Sequence, residues 1–425
     1  MALGMVIALL VAMVAGIPVA IAIALAGIVG IVLFSNLPLV IVAQQFYVAL
    51  DNFPLVAIPL FILAGNLMEA GGVSSRLVAV AKSLVGHGPG GLPATCVVTC
   101  LIFGAVSGSS VATTFAVGAI LIPALVRQGY PAPFAAALQA ASAELAVIIP
   151  PSIPLILYGV STNTSIGDLF MAGILPGLLL ALAMVTLVFV WSRLKGYGRA
   201  ASEDIPAAGK ALREGVLALL MPIIVVGGIY GGVFTPTESA VIAVFYAMAL
   251  GGLVYRQLTL ASLVRCLTRT AISASFILMT LAAAGLFTFL INRTGAPAEL
   301  AQWLTSVFSS QVTFLLAINV LLFLVGMFIE TAAAIIVLAP LLLPVAVSLG
   351  IDPVHFGIVM IVNMALGMVT PPLGVNLYAA CVVAGLRIEK IAPYLIPFIL
   401  VAIACLALIT YAPAISLSLP AILDR

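Results

Sequence analysis

Apolar residues run in long blocks along this chain, separated by short polar or proline- and glycine-containing intervals. The blocks fall near 3–34, 54–75, 93–126, 134–160, 170–192, 216–234, 236–255, 272–292, 313–346, 355–385 and 392–418. A helix that crosses a bilayer needs about 20 apolar residues, so most blocks have the length of one crossing. The first is too long for one ordinary span. Gly16-Ile17-Pro18 interrupts it, which leaves two short spans or one long tilted helix. Its start has no basic leader and no small-residue cleavage site of convincing form, so a retained span is expected rather than a signal peptide.

The basic residues test this division. They cluster at Arg76 and Lys82, at Arg127, at Arg193 to Arg213, at Arg256 to Arg269, and at Arg387 and Lys390. Basic loops share the cytoplasmic side of a membrane protein. These loops do so only if 93–126 is a re-entrant hairpin and 313–346 is a second hairpin entering from the opposite side. The loop 346–354, without Lys or Arg, then lies outside, and Arg293 is the exception that needs a reason. The longest polar stretch, 193–215, is expected to be a cytoplasmic linker.

A shift of 221 residues superimposes several features. Pro123 falls on Pro344, Gly129 on Gly350, and Pro150-Pro151 on Pro371-Pro372, with Tyr158 and Tyr378 one residue out of register. Five crossings separate Arg127 from Ser348 on this map, an odd number, so the second copy is inverted. Inverted repeats with broken helices place a binding site near the bilayer midplane where the halves meet. The expected fold is therefore an all-α polytopic membrane protein made of inverted repeats, each with a re-entrant hairpin and a broken helix. The first repeat covers 1–195, the linker 196–215 and the second repeat 216–425.

Composition agrees. The 425-residue chain is 64% hydrophobic and 7% charged, with mean hydropathy +1.37, whereas a soluble domain carries roughly 25% charged residues. Net charge is +2 and no basic stripe occurs, so nothing supports nucleic-acid binding. Cys96, Cys100, Cys266, Cys381 and Cys405 lie in or beside apolar runs and are expected to be small buried residues rather than metal ligands. No Walker-type phosphate loop and no nucleophile–base constellation appears, which argues against ATP hydrolysis and against an enzyme.

The candidate chemistry sits at the hairpins and breaks. The first hairpin contains Ser107-Gly108-Ser109-Ser110 and Thr113, whose hydroxyls and carbonyls suit a hard cation such as Na⁺; a helix-packing patch is the alternative. The offset puts Glu330 opposite Ser109 and Thr331 opposite Ser110. An intramembrane carboxylate is costly and marks a functional site by default, so Glu330 is a candidate to neutralise a cation or carry a proton. Consecutive prolines remove donors and free upstream carbonyls, so Pro150 with Ser152, and Thr370 and Pro371 with Gly374 and Asn376, are further candidate ligands. Asn66 and Asn292 either bridge helices or reach the site, and Glu144 lies mid-span beside Ser142. Glu238 either caps a helix or touches substrate, and Arg293 either pairs with a substrate carboxylate or snorkels to headgroups.

Three segments together, Ser107-Gly108-Ser109-Ser110, Phe234-Thr235-Pro236-Thr237-Glu238 and Thr370-Pro371-Pro372-Leu373-Gly374-Val375-Asn376-Leu377, resemble the large membrane (M) subunit of the tripartite ATP-independent periplasmic, or TRAP, transporters over nearly the whole chain. The resemblance implies Na⁺-driven uptake of an organic acid across the bacterial inner membrane by an elevator of the ion-transporter type. It implies a separate four-span Q subunit and a periplasmic substrate-binding protein as partners. It also implies a Na⁺ region formed by Ser109, Ser110, Thr113, Asn66, Pro150, Ser152, Glu330, Thr331, Thr370, Pro371 and Gly374. Substrate is expected at Arg293, Ser107, Gly108, Ser109, Ser165, Glu238 and Asn376. A stand-alone Na⁺/dicarboxylate symporter is the alternative.

Overall fold

The computed structural model describes residues 1–197, 207–296 and 310–423, together with Glu299, Gln302, Trp303 and Phe308. Part of the expected linker, 198–206, lies outside the described residues. Among the described residues the fold is all-helical. Eight helices are long and apolar enough to cross a membrane, and a bent pair makes a ninth.

The leading apolar run resolves into two helices, α1 (Ala2–Val14) and α2 (Val19–Phe34). Gly16 takes φ +78° between them and Pro18 sits at the start of the second, so the backbone cannot run through. A short helix, α3 (Val40–Leu50), follows between the first two apolar blocks. The block at 54–75 is α4 (Ala57–Ala70), and a tight turn with Gly72 at φ +74° leads into α5 (Val73–Val85).

The first hairpin is α6 (Gly91–Ser107) and α7 (Ser110–Arg127). Its two outer ends are joined, because the Gly90 amide donates to Tyr130 Oη at 3.1 Å. The broken helix comes next, as α8 (Ala132–Ala143), α9 (Leu145–Ile148) and α10 (Ile153–Thr162), with a bend of 42° at the prolines. The 30-residue α11 (Ile166–Lys195) closes this half.

The second half opens with α12 (Ala208–Tyr230), α13 (Pro236–Ala249) and α14 (Leu260–Arg293). The last is 34 residues long and starts well before the expected 272, where Thr259 and Ser262 form a capping box. The second hairpin is α15 (Gln311–Gly326) and α16 (Thr331–Ser348), again closed at its base, with Gln311 Nε2 donating to Leu349 O at 2.7 Å. Then come α17 (Pro353–Met368), α18 (Val375–Ala384), α19 (Ile388–Tyr411) and α20 (Ala414–Leu423). Ser110 and Thr331, and Ala132 and Pro353, open matching helices 221 residues apart. The match is incomplete: Tyr158 is fully buried and donates to Pro353 O at 2.7 Å, whereas Tyr378 is 62% exposed.

The two halves interlock. Helix α2 packs on α14 and α4 on α13. The arm α7 packs on α18, and α16 packs on α10, so each hairpin's second arm lies along the helix that follows the other half's Pro–Pro break. Close approach depends on small residues. A Cβ on Gly104 would come within 2.5 Å of the Ala146 backbone, and one on Gly326 within 3.1 Å of Gly367. All five cysteines are buried thiols; Cys96 Sγ donates to Gln139 Oε1 at 3.1 Å.

Candidate functional site

The tip of the first hairpin is built by a glycine and three hydroxyl residues. Gly108 takes φ +59°, ending α6 and reversing the chain. Its Cα faces the Pro151 carbonyl so closely that a Cβ would lie 2.8 Å from that oxygen. Ser109 caps α7, accepting from the Ala112 amide at 3.4 Å. Ser107 Oγ and Thr113 Oγ1 share a hydrogen bond of 3.0 Å, and Thr113 Oγ1 lies 2.8 Å from Ser109 O. Three oxygens thus gather within the tip.

This tip borders a cavity of about 280 Å³ whose polar lining comes from Ser107, Ser109, Asn66 and Ser273. Gly65 makes the approach of α4 possible, since a Cβ there would stand 3.2 Å from Ser107 Cα. Asn66 is a helix bridge as well as a wall of the cavity, because its Nδ2 donates to Thr270 Oγ1 at 2.9 Å.

The second tip uses a carboxylate where the first uses a serine. Glu330 caps α16, its Oε2 accepting from Ala332 N at 3.0 Å and Ala333 N at 3.3 Å. Its Oε1 stands outside this cap. Thr331 Oγ1 donates to Met368 Sδ at 2.8 Å, and Ser110 Oγ of the first hairpin reaches the same sulfur at 4.0 Å. The two hairpins therefore meet at Met368, a residue that sequence reading passed over. The Gly374 amide donates to Met327 O at 3.4 Å, tying the second break to the second tip.

Both breaks contain a cis proline, Pro151 and Pro372. Ser152 caps α10 and donates to Val147 O at 2.6 Å, one of the carbonyls released by the break. In the second half Thr370 donates to Leu366 O at 2.8 Å, and Gly374 at φ +43° opens α18. Pro150 also lines an apolar cavity with Tyr230 between the halves.

Several candidates stand apart from the tips. Asn376 is fully buried, with contacts to Thr114, Ala140 and Glu144 instead of a cavity wall. Glu238 forms a capping box, its Oε2 accepting from Thr235 N at 2.8 Å on the surface. Ser165 is likewise an exposed N-cap, accepting from Asp168 N at 3.3 Å. Arg293 is exposed as the last residue of α14, with its guanidinium 5.9 Å from the Phe289 ring, and Asn292 beside it is exposed too.

Among the described residues no group of three or more His, Cys, Asp or Glu side chains gathers. The donor set at the tips is hydroxyls, carbonyls and one carboxylate, which suits a hard, oxygen-seeking cation. Gln139 supports the arrangement from behind, donating to Thr113 O at 3.3 Å.

Known proteins similar to this chain identify its family. Residues 6–415 match the family model of the tripartite ATP-independent periplasmic transporter, DctM component. The chain is 42% identical over 95% of its length to the isethionate TRAP transporter permease protein DctMQ of Oleidesulfovibrio alaskensis, of which it spans 64%. It is 40% identical to the C4-dicarboxylate TRAP transporter large permease protein DctM of Rhodobacter capsulatus, covering 99% of this chain and 98% of the relative. It is 36% identical to the sialic acid TRAP transporter large permease protein SiaM of Vibrio cholerae, covering 96% and 95%. In fold it is similar to the crystal structure of the YdaH transporter of Alcanivorax borkumensis, with TM-score 0.65, 20% identity, and 89% and 88% of the two chains covered. This chain, a multi-pass inner-membrane permease subunit and not an enzyme, belongs to the DctM component family of the tripartite ATP-independent periplasmic transporters.

Proposed function

We propose that the chain is the large permease of a Na⁺-coupled importer for a small organic acid. The observation that carries the Na⁺ site is the meeting of both hairpins at Met368, with the hydroxyls of Ser110 and Thr331 on one sulfur. Ser107, Ser109 and Thr113 form the oxygen cluster of the first tip, and Glu330 brings the charge at the second. The Pro150–Ser152 and Thr370–Gly374 segments complete the surroundings with released carbonyls.

The relatives named above carry isethionate, C4-dicarboxylates and sialic acid, all small organic anions. The proposed cargo is this class, delivered by a periplasmic binding protein, with a separate small four-span subunit bracing the scaffold. The two halves, 1–195 and 216–425, are inverted repeats in this reading, and the unit containing both hairpins moves against α2, α4, α13 and α14 as an elevator. The cross-half pairing of those four helices supports a rigid scaffold. Arg293 is the proposed partner of the substrate's acid group.

The test is uptake into proteoliposomes that hold this chain, its small subunit and the loaded binding protein. Uptake should follow an inward Na⁺ gradient and stop when K⁺ replaces Na⁺. Equal uptake in both salts would sink Na⁺ coupling. Uptake by the chain without partners would support stand-alone symport instead.

A further inference from the structure

The proposed transport chemistry leaves one buried acid unused. Glu144 lies where α8 passes into α9, and it is 5% exposed. Asn376 Nδ2 donates to Glu144 Oε1 at 2.6 Å and to Ala140 O at 3.3 Å, while Asn376 Oδ1 accepts from Thr114 Oγ1 at 2.9 Å. The Ala140 carbonyl can only accept, so it fixes which end of the amide faces Glu144. Oε1 is therefore an acceptor in this network. The other oxygen, Oε2, is buried without a partner.

Glu144 lines a cavity of about 20 Å³. That is room for one water, which needs about 10–15 Å³. The facing side chains include Leu180 and Met184 from α11, Leu366 from α17, and Phe398 and Ala402 from α19, and the lining holds no titratable group besides Glu144. Thr114 of α7 and Asn376 of α18 complete the surroundings and are neutral. An ionised carboxylate here would lack a counter-charge among these residues. A hard cation draws several oxygen ligands, and these apolar side chains offer it none beyond the carboxylate. A proton needs only Oε2 itself.

We propose that Glu144 is a proton-binding site, and that Asn376 and Thr114 tie its occupancy to the seating of α18 against the first hairpin. The proton sits on Oε2, and the bound acid is neutral. Loss of the proton would leave a charge facing apolar side chains and would strengthen the pull of Glu144 Oε1 on the Asn376 amide, so the contact from α8 through Asn376 to α7 would shift with the proton. This inference does not depend on which ion drives transport.

Infrared difference spectroscopy on the purified full chain in lipid tests it. At neutral pH the wild type minus Glu144→Gln spectrum should show the carbonyl stretch of a protonated acid. Asn376→Leu, which keeps the acid and removes its amide donor, should move that band to higher frequency. Glu144→Gln should keep the wild-type melting temperature, because the amide reproduces the neutral acid. A difference spectrum showing only carboxylate bands would overturn the proton site and point to a bound cation. A marked loss of melting temperature in Glu144→Gln would do the same. An unshifted band in Asn376→Leu would overturn the link to α18, and it needs no Glu144 variant to fold.

Discussion

Replacing Gly108 by alanine isolates the geometry of the first tip. Gly108 holds φ +59°, and its Cβ position lies 2.8 Å from the Pro151 carbonyl oxygen. An L-residue in this left-handed region costs about 1–2 kcal/mol, which is a factor of about 5–30 in the population of the native tip. The contact adds to this, because the neighbour is backbone and cannot swing aside. Ordinary packing distance requires the tip to retreat by about 0.5 Å or more from the break. Gly129 is the matched control, with φ +82° and nothing within 4 Å of its Cβ position. Both variants carry the backbone strain, and only Gly108→Ala carries the clash at the tip. Gly108→Ala should therefore raise the Na⁺ concentration for half-maximal uptake at least fivefold in the three-component proteoliposome assay. Gly129→Ala should lower the melting temperature and leave Na⁺ activation within twofold of wild type. Equal Na⁺ activation in the two variants would refute the claim that the tip's seat on Pro151 shapes the ion site.

Further substitutions separate structure from ion binding. Glu330→Gln keeps a cap-competent oxygen and removes the charge, so it should keep the melting temperature while Na⁺ dependence weakens several-fold; wild-type Na⁺ activation would leave Glu330 as a cap alone. Thr331→Val preserves shape and removes the hydroxyl at Met368, and should raise the half-activating Na⁺ concentration more than Ser110→Ala, whose oxygen is 4.0 Å from the sulfur. Tyr130→Phe leaves the Gly90 amide unpaired in a buried place, a cost of about 1–3 kcal/mol, visible as a lower melting temperature with Na⁺ activation unchanged. Arg293→Ala should raise the substrate KM and spare Na⁺ activation; unchanged kinetics would assign this side chain to lipid headgroups.

Both hairpins were legible in the sequence because charge placement is a global constraint: the basic loops share one side only if 93–126 and 313–346 turn back. The Pro–Pro pairs were legible because two consecutive missing donors break any helix. Helix α3 and the first part of α14 were not, because Gln44 and Gln45 in the one and Arg265 and Arg269 in the other interrupt the apolar run. Met368 was invisible for a different reason. A methionine in an apolar run looks like core filler, and its partners Ser110 and Thr331 lie 258 and 37 residues away. Distance in sequence also hid the surroundings of Asn376, whose position after a Pro–Pro break suggested a ligand and whose partners come from α7, α8 and the junction of α8 with α9. Glu238 had two readings from the start, and the Thr235 contact that caps its helix is visible only in the folded chain.

The crossed pairing of α2 with α14 and α4 with α13 bears on how the protein is made. When the ribosome has released the first half, Gly27 of α2 has yet to meet Leu286, and Gly71 has yet to meet Gly251. Those faces wait in the membrane for helices still to be synthesised, so the first half cannot reach its final arrangement alone. Assembly of the chain therefore crosses its midpoint. Two fragments separated between 197 and 207 would each lack the α2–α14 and α4–α13 packing, and each would supply what the other lacks.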